Sequence, residues 1–236
     1  LVIGAGLSGV GAACHLTRRL PDKSFVVLES RETMGGTWDL FRYPGIRSDS
    51  DMFTLGYAFE PWTAPKAIAD GDTILTYIRE TAAKYGVTDK IRYQRRVVGL
   101  DWSGADRRWT VTIRHCDTGD TSAMTAGFVY GCTGYYDYDQ GYTPDLPGLD
   151  TFGGEIVHPQ QWPTDLDFAG RRVVVLGSGA TAVTIVPAMA ETAAHVTMLQ
   201  RSPTHILPQP ATDPIADWAR HRLPAHLAYR VVRAKN

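Results

Sequence analysis

Two glycine-rich turns in this sequence have the residue types and the spacing to hold the phosphates of a dinucleotide. In the first turn, Gly4, Gly6 and Gly9 follow the apolar residues 1–3. Gly4 would allow a tight turn, Gly6 would let the backbone approach a pyrophosphate, and Gly9 would let a helix pack closely on a strand. The free N–H groups at the start of that helix would attract the phosphates, and Ser8 is predicted to contact them as well.

An acidic residue completes the first pattern. Glu29 ends the next apolar stretch, residues 25–29. A carboxylate at this place can accept hydrogen bonds from both ribose hydroxyls, and it repels a 2′-phosphate. A purely structural glycine turn is disfavoured because strand, turn, helix and acidic residue all occur in the expected order. The first turn therefore predicts a site for FAD or NAD and not for NADP.

The second turn has a different ending. Gly177 and Gly179 follow residues 172–176, and Ala182 stands where a third glycine would be. Instead of a carboxylate, Arg201 and Ser202 follow the next strand, and they can hold a 2′-phosphate through charge-assisted hydrogen bonds. The alternative for Arg201 is a solvated surface side chain. The sequence predicts an NADP site, with further contacts from Ser178, Ala180 and Thr181.

Two dinucleotide sites in one chain imply that NADPH passes a hydride to a bound flavin. These residues alone do not indicate what the reduced flavin does next. A disulfide reductase built on two dinucleotide sites is disfavoured because it needs a redox pair of cysteines. The cysteines here are three, widely spaced and without a C-x-x-C pair, namely Cys14, Cys116 and Cys132.

The elements that position these residues predict an α/β fold with two Rossmann-like βαβ units. Apolar periodicity predicts helices over residues 7–20, 72–85 and 215–223, and a helix that follows the turn of residues 177–182 and ends at about 191. It predicts strands over 1–3, 25–29, 91–102, 109–115, 128–130, 172–176 and 195–200. We predict an FAD-binding domain over 1–134, a linker over 135–170 and an NADP-binding domain over 171–236. Both domains are expected to be incomplete, because residues 1–3 are short for a strand of about five residues and 171–236 has room for few strands.

Composition limits the class of protein. The 236 residues carry a net charge of −1, which gives no attraction to nucleic acid or to an anionic membrane surface. No apolar run approaches the roughly 20 residues of a transmembrane helix. The cysteine pattern indicates neither a disulfide framework nor a zinc site, so we predict a protein of a reducing compartment, the cytoplasm, without a metal.

The residues around the two turns resemble those of the class B flavoprotein monooxygenases. Residues 35–38 resemble the family's GG-x-W loop, residues 42–49 its R-Y-P-G-x-x-x-D segment, and residues 132–134 its A-T-G linker with cysteine in place of alanine. The Baeyer–Villiger fingerprint of the family, F-x-G-x-x-x-H-x-x-x-W-P, is matched by Phe152, Gly154, His158, Trp162 and Pro163. The related N-hydroxylating enzymes carry Phe or Tyr at the position of Trp162.

The resemblance implies an activity and further site residues. NADPH would reduce FAD, O₂ would add to the flavin C4a to give a peroxyflavin, and this would oxygenate a ketone or a sulfur compound. Asp49 matches the family aspartate that orients a peroxide-stabilising arginine, and that arginine is expected beyond Asn236. The cofactor contacts predicted in addition are Gly36, Thr37, Trp38, Arg42, Tyr43, Asp49 and Val97.

Several alternatives stay open. Asp49 lies in a polar run and could cap a turn or a helix. His158 is predicted to be structural or gating, and Cys132 to be buried packing without an activating partner. An N- or S-oxygenating flavin monooxygenase is the nearest rival enzyme. The chain could also be an inactive FAD-binding fragment, for which we expect weak or no NADPH oxidase activity and exposed apolar surface.

Overall fold

The computed structural model describes residues 1–206 and 210–236. Two compact units form, one from Leu1–Leu40 with Ile74–Tyr136 and one from Phe41–Thr73 with Asp137–Asn236. The strands are β1 (Val2–Ile3), β2 (Val27–Leu28), β3 (Ile91–Arg92), β4 (Arg95–Ser103), β5 (Arg108–His115), β6 (Thr121–Ala126), β7 (Tyr130–Gly131), β8 (Arg172–Leu176) and β9 (His195–Leu199). The helices are α1 (Leu7–Arg19), α2 (Thr37–Leu40), α3 (Met52–Leu55), α4 (Gly71–Lys84), α5 (Ala180–Ala190), α6 (Pro214–Arg222) and α7 (Ala225–Lys235).

A parallel sheet in the order β3-β2-β1-β7 forms the centre of the first unit. Val2 pairs with Val27 on one side of β1 and with Tyr130 on the other. Helix α1 leaves the glycine turn after β1 and buries its small residues, among them Gly9, Ala13 and Cys14. Two arginines in its last turn are favourable near the carbonyl end of the helix dipole. The carboxyl ends of these strands therefore meet at the first glycine turn.

An antiparallel sheet in the order β4-β5-β6 belongs to the same unit. Alternation along β5 buries Val111 and Ile113, which pack with Leu28 of β2 in one hydrophobic cluster. Trp102 pairs with Trp109 across β4 and β5, and their ring centroids lie 5.4 Å apart.

In the second unit, β8 and β9 pair in parallel, with Arg172 opposite His195 and Leu176 opposite Leu199. Every second residue of these strands is exposed, including Val174, Leu176 and Leu199. Helix α6 begins at an N-cap, Asp213, whose carboxylate accepts hydrogen bonds from the N–H groups of residues 215 and 216. Lys235 at the end of α7 donates to the same carboxylate at 2.6 Å, which ties the two helices together.

The prediction of an α/β fold with two βαβ units is confirmed, and β8 has the predicted bounds. The predicted strand over 91–102 is wrong as one element. Gln94 has a left-handed backbone, with φ of 54°, and the chain turns there from the parallel sheet into the antiparallel one. The predicted strand over 128–130 is shorter and later, Tyr130–Gly131.

Some elements were not predicted at all. Strand β6 carries one large apolar side chain, Met124, so its alternation is weak. Helix α7 lies in a basic stretch, yet Ala228 and Val232, one helical turn apart, are buried. No described helix is long and apolar enough to cross a membrane.

Candidate functional site

The first glycine turn is shaped by its contacts with the backbone. Gly4 has a φ of +98°, a conformation that favours glycine, and a Cβ on this residue would overlap the carbonyl oxygen of Cys132. A Cβ on Gly9 would overlap the carbonyl oxygen of Gly4. Ser8 is exposed in the first turn of α1. The turn therefore has the compact form predicted for a phosphate-binding loop, with the start of α1 beside it.

Glu29 lies directly against this turn. Its side chain is 3% exposed, and Oε2 accepts a hydrogen bond from the backbone N–H of Ala5 at 2.7 Å. Oε1 accepts from the backbone N–H of Arg31 at 2.9 Å. A carboxylate has about four acceptor positions, so it keeps capacity for a ribose hydroxyl. Burial and the charge of Glu29 raise the pKa of the nearby Tyr93 phenol.

The loop of residues 35–38 approaches the same turn. Gly35 has a φ of +124°, and its N–H donates to the carbonyl of Ala5 at 2.9 Å. A Cβ on Gly6 would lie 3.5 Å from the Cα of Gly36, so the two backbones almost touch. Thr37 begins α2, and Trp38 is half-buried in that helix. The structure thus brings the predicted residues of the first turn and of this loop together.

A buried ion cluster beside this loop was not predicted. Asp39 is 6% exposed and accepts from Arg31 at 2.8 Å, from Arg79 at 2.9 Å and from the Thr33 hydroxyl at 2.6 Å. Arg31 also points an N–H group at the carbonyl of Gly36, at 3.4 Å. Arg31, shortly after Glu29, and Asp39, directly after Trp38, are charged residues that the sequence shows. The sequence does not show that Asp39 pairs with both Arg31 and Arg79 of α4.

The second glycine turn is open. Gly177 has a φ of +119°, and a Cβ on Gly177 or Gly179 would meet no atom within 4 Å. Ala180 begins α5, and Ala182 is buried, as close packing of this helix requires. The Ser178 hydroxyl donates to the carbonyl of Ser202 at 3.1 Å and lies 2.8 Å from the hydroxyl of Thr204. The turn is thereby joined to the segment that follows β9.

Arg201 and Ser202 follow β9 on that segment, and both are exposed. Within residues 1–206 and 210–236, the Arg201 guanidinium makes no ion pair or hydrogen bond. Among the described residues, the second unit therefore presents an unpaired guanidinium on the segment that is joined to its glycine turn, and the 2′-phosphate role of Arg201 stays a prediction.

Residues 41–49 belong to the second unit and pack on α5. Burial raises the pKa of the Tyr43 phenol, and the Thr181 side chain is close enough to offset part of that rise. Gly45 has a φ of +74°, and a Cβ on it would lie 2.8 Å from the Ala188 Cβ. Arg42 is partly exposed, with an ion-pair distance of 3.6 Å to Asp72. A segment that the motif predicts to contact the flavin thus lies, in the structure, against the helix of the second glycine turn.

Asp49 is exposed and does not act as a helix cap. Asp51 is the N-cap of α3, accepting from the N–H of Thr54 at 2.8 Å. The neighbouring Ser48 is buried, and its hydroxyl accepts from the N–H of Ala69 at 3.0 Å, which fixes the chain at this point. The Asp49 carboxylate makes no hydrogen bond or ion pair with another described residue. It lines a cavity of about 420 Å³ in this unit, together with Lys235.

Three further predicted residues have clear structural environments. His158 caps the short 3₁₀ helix Pro159–Gln161, accepting at Nδ1 from the N–H of Gln160 at 3.2 Å, and its ring lies against Gly141. This is the structural role predicted for it.

Burial raises the pKa of the Cys132 thiol, in keeping with packing and not with a nucleophile. Val97 packs against the cluster of Leu28, Val111 and Ile113. Among the described residues, no group of three or more His, Cys, Asp or Glu could hold a metal ion.

Comparison with known proteins agrees with this arrangement. A model of the flavin-binding monooxygenase-like family matches residues 61–214, and a model of the NAD(P)-binding Rossmann-like domain matches residues 2–62. The chain is 56% identical over 237 residues to the FAD-containing monooxygenase EthA of Mycobacterium tuberculosis, covering 100% of this chain and 48% of that protein. The chain thus spans about half the length of the curated relatives it matches.

Solved structures show the same similarity. An oxidized steroid monooxygenase bound to NADP superposes with a TM-score of 0.79 at 31% identity, over 97% of this chain and 43% of that one. OTEMO in complex with FAD and NADP has a TM-score of 0.72 at 33% identity, over 86% of this chain and 39% of that one.

Proposed function

This chain belongs to the flavin-binding monooxygenase-like family, and from that membership we propose that it is part of an FAD-dependent monooxygenase that uses NADPH and O₂. The observation that carries the proposal is the contrast between its two glycine turns. One lies against the buried carboxylate of Glu29, and the other lies beside the guanidinium of Arg201, which is exposed and has no partner among the described residues. Two such sites serve two different dinucleotides.

FAD fits the first site. Gly4, Gly6 and Gly9 let the backbone approach a diphosphate, which the N-terminus of α1 attracts. Glu29 is the acceptor for a ribose hydroxyl, and the loop around Gly36 borders the same space. The FAD in the OTEMO complex supports this assignment.

NADPH fits the second site. The open space around Gly177 and Gly179 admits a diphosphate at the start of α5. Arg201 and Ser202 hold the 2′-phosphate, and Ser178 and Thr181 contact the phosphates or the nearby sugar. The absence of a carboxylate after β9 removes the repulsion that Glu29 would give at the first site. The NADP in both solved relatives supports this assignment.

The reaction is the insertion of one oxygen atom of O₂ into a ketone, or its transfer to sulfur. A ketone, O₂, NADPH and a proton give an ester or lactone, NADP⁺ and water. The bound flavin supplies the redox chemistry with O₂. The fingerprint from Phe152 to Pro163 favours the Baeyer–Villiger class, and its His158 acts structurally. Asp49 acts as a positioning residue, because its carboxylate is accessible and unpaired among the described residues and can hold a cationic side chain.

Product analysis tests the reaction class. FAD-loaded protein given NADPH and ¹⁸O₂ is expected to convert a cyclic ketone to a lactone that contains one labelled oxygen atom, and a thioether to a sulfoxide. Oxidation of an amine with no ketone product would assign the chain to the N-oxygenating class instead. NADPH consumption that yields only hydrogen peroxide, with no labelled product from any of the three substrates, would contradict monooxygenation.

A further inference from the structure

Arg31 is connected to three parts of the proposed FAD site at once. Its backbone N–H donates to Glu29 at 2.9 Å, next to the first glycine turn. Through its guanidinium it donates to Asp39 at 2.8 Å, and it approaches the carbonyl of Gly36 at 3.4 Å. Its own carbonyl accepts from the N–H of Gln94 at 3.0 Å. One residue thus links the predicted ribose carboxylate, through its backbone, to the loop predicted to border the flavin, through its side chain.

Asp39 is the common acceptor in the network that it forms with Arg31, Arg79 and Thr33. Its carboxylate is 6% exposed, and both oxygens are used, one by Arg79 and the other by Arg31 and Thr33. The two arginines are 24% and 46% exposed, so the carboxylate is the buried partner. A buried carboxylate is retained only when it is paired and hydrogen-bonded, and bonds between guanidinium and carboxylate groups are strong and directional. The bonds of the Asp39 side chain therefore fix the position of the backbone of residues 35–39.

The charges of the network also matter. Two guanidinium groups share the Asp39 carboxylate, and the Glu29 carboxylate lies against the same turn, so the two positive and two negative charges of these groups balance. Arg79 is close enough to lower the pKa of Tyr93, against the larger upward effects of burial and of Glu29. Without the Asp39 charge, two guanidinium groups would face one carboxylate, so the balance of charge beside this turn depends on Asp39.

We propose that Asp39 is a positioning residue for the flavin cofactor, acting through Arg31 and Arg79 to hold the loop of residues 35–38 in the conformation that accepts FAD. The proposal rests on the assignment of FAD to the first site. It extends that assignment to three residues that do not belong to the glycine pattern. Without the Asp39 charge, the Arg31 guanidinium loses its anchor, and Gly36 is free to move away from Gly6.

Asp39→Asn is the first test, because it keeps the shape and removes the charge. The FAD dissociation constant, from quenching of flavin fluorescence, is expected to rise at least tenfold, and the visible circular dichroism of bound flavin is expected to change. Asp117→Asn is the matched control, since Asp117 also pairs with an arginine, Arg95 at 3.1 Å, but on the β4–β5–β6 sheet. It is expected to leave both readouts at wild-type values.

Arg31→Lys is the second test and covers the case in which Asp39→Asn does not fold. Lysine keeps the positive charge at a partly exposed position, but one ammonium cannot reproduce the fork that reaches Asp39 and Gly36 through different nitrogens. We expect a several-fold weaker affinity for FAD and an unchanged melting temperature of the FAD-free protein.

The outcomes are distinguishable. If Asp39→Asn and Arg31→Lys lower only the melting temperature of the FAD-free protein and leave the dissociation constant and the circular dichroism unchanged, the network is structural and the proposal is wrong. If the wild-type protein itself does not bind FAD, the assignment of the first site fails, whatever the variants do.

Discussion

Gly4→Ala is expected to weaken FAD binding by at least about a hundredfold. Gly4 has a φ of +98°, and an added Cβ would overlap the backbone carbonyl of Cys132, which cannot move without shifting β7. A residue forced into this conformation costs about 1–3 kcal/mol before the overlap is counted, and tenfold in affinity corresponds to about 1.4 kcal/mol. Equilibrium titration with FAD measures the change, and the melting temperature of the FAD-free protein is expected to fall as well.

Gly104→Ala is the control for this substitution. Gly104 lies in the turn between β4 and β5 of the same unit, and a Cβ on it would meet no atom within 4 Å. It is expected to leave FAD binding and stability close to wild type. Wild-type affinity of Gly4→Ala for FAD would show that the first glycine turn is not the cofactor site.

Arg201→Ala is expected to weaken NADP⁺ binding about ten- to a hundredfold while leaving NAD⁺ binding nearly unchanged. Hydrogen bonds to a charged group contribute about 1.5–3 kcal/mol each, and only NADP⁺ carries the 2′-phosphate that Arg201 would meet. Dissociation constants for both nucleotides, measured on the same FAD-loaded protein at one ionic strength, give the comparison.

The matched control is Arg172→Ala. Arg172 is also exposed and makes no ion pair among the described residues, but it begins β8, at the end of the strand opposite the glycine turn. Its replacement is expected to leave both dissociation constants unchanged. Equal losses for NADP⁺ and NAD⁺ in Arg201→Ala would argue against a 2′-phosphate contact.

The sequence predicted the elements that have strong local patterns. Both glycine turns, α1, α5 and β8 lie where apolar periodicity and the glycine spacing placed them, because these signals depend on neighbouring residues. The contrast between Glu29 and Arg201 was also local, since each follows its own strand.

Contacts between distant residues were not predictable in this way. The pairing of Asp39 with Arg79 joins two separate helices, and no local pattern specifies such a partner. The approach of the Thr181 side chain to the Tyr43 phenol likewise joins a motif to a helix far along the chain. The break between β3 and β4 depends on the left-handed backbone of Gln94, where the chain leaves the parallel sheet and enters the antiparallel one. No local pattern in the sequence specifies this change of direction.

The choice between Asp49 and its neighbours shows the same limit. The run of residues 48–51 contains several side chains that can cap a helix, and sequence alone could not say which one does. The structure assigns the cap to Asp51 and the anchor to Ser48, and it leaves the Asp49 carboxylate free among the described residues.

If the first glycine turn holds FAD and the second binds NADPH, hydride transfer from NADPH to the flavin can be followed by anaerobic mixing of FAD-loaded protein with NADPH or NADH and by the visible absorbance of the flavin. We expect one equivalent of FAD per chain to be reduced by NADPH much faster than by NADH at the same subsaturating concentration, and Arg201→Ala to remove most of the difference. Reduction at the same rate by both nucleotides in the wild-type protein would contradict this assignment of the two turns.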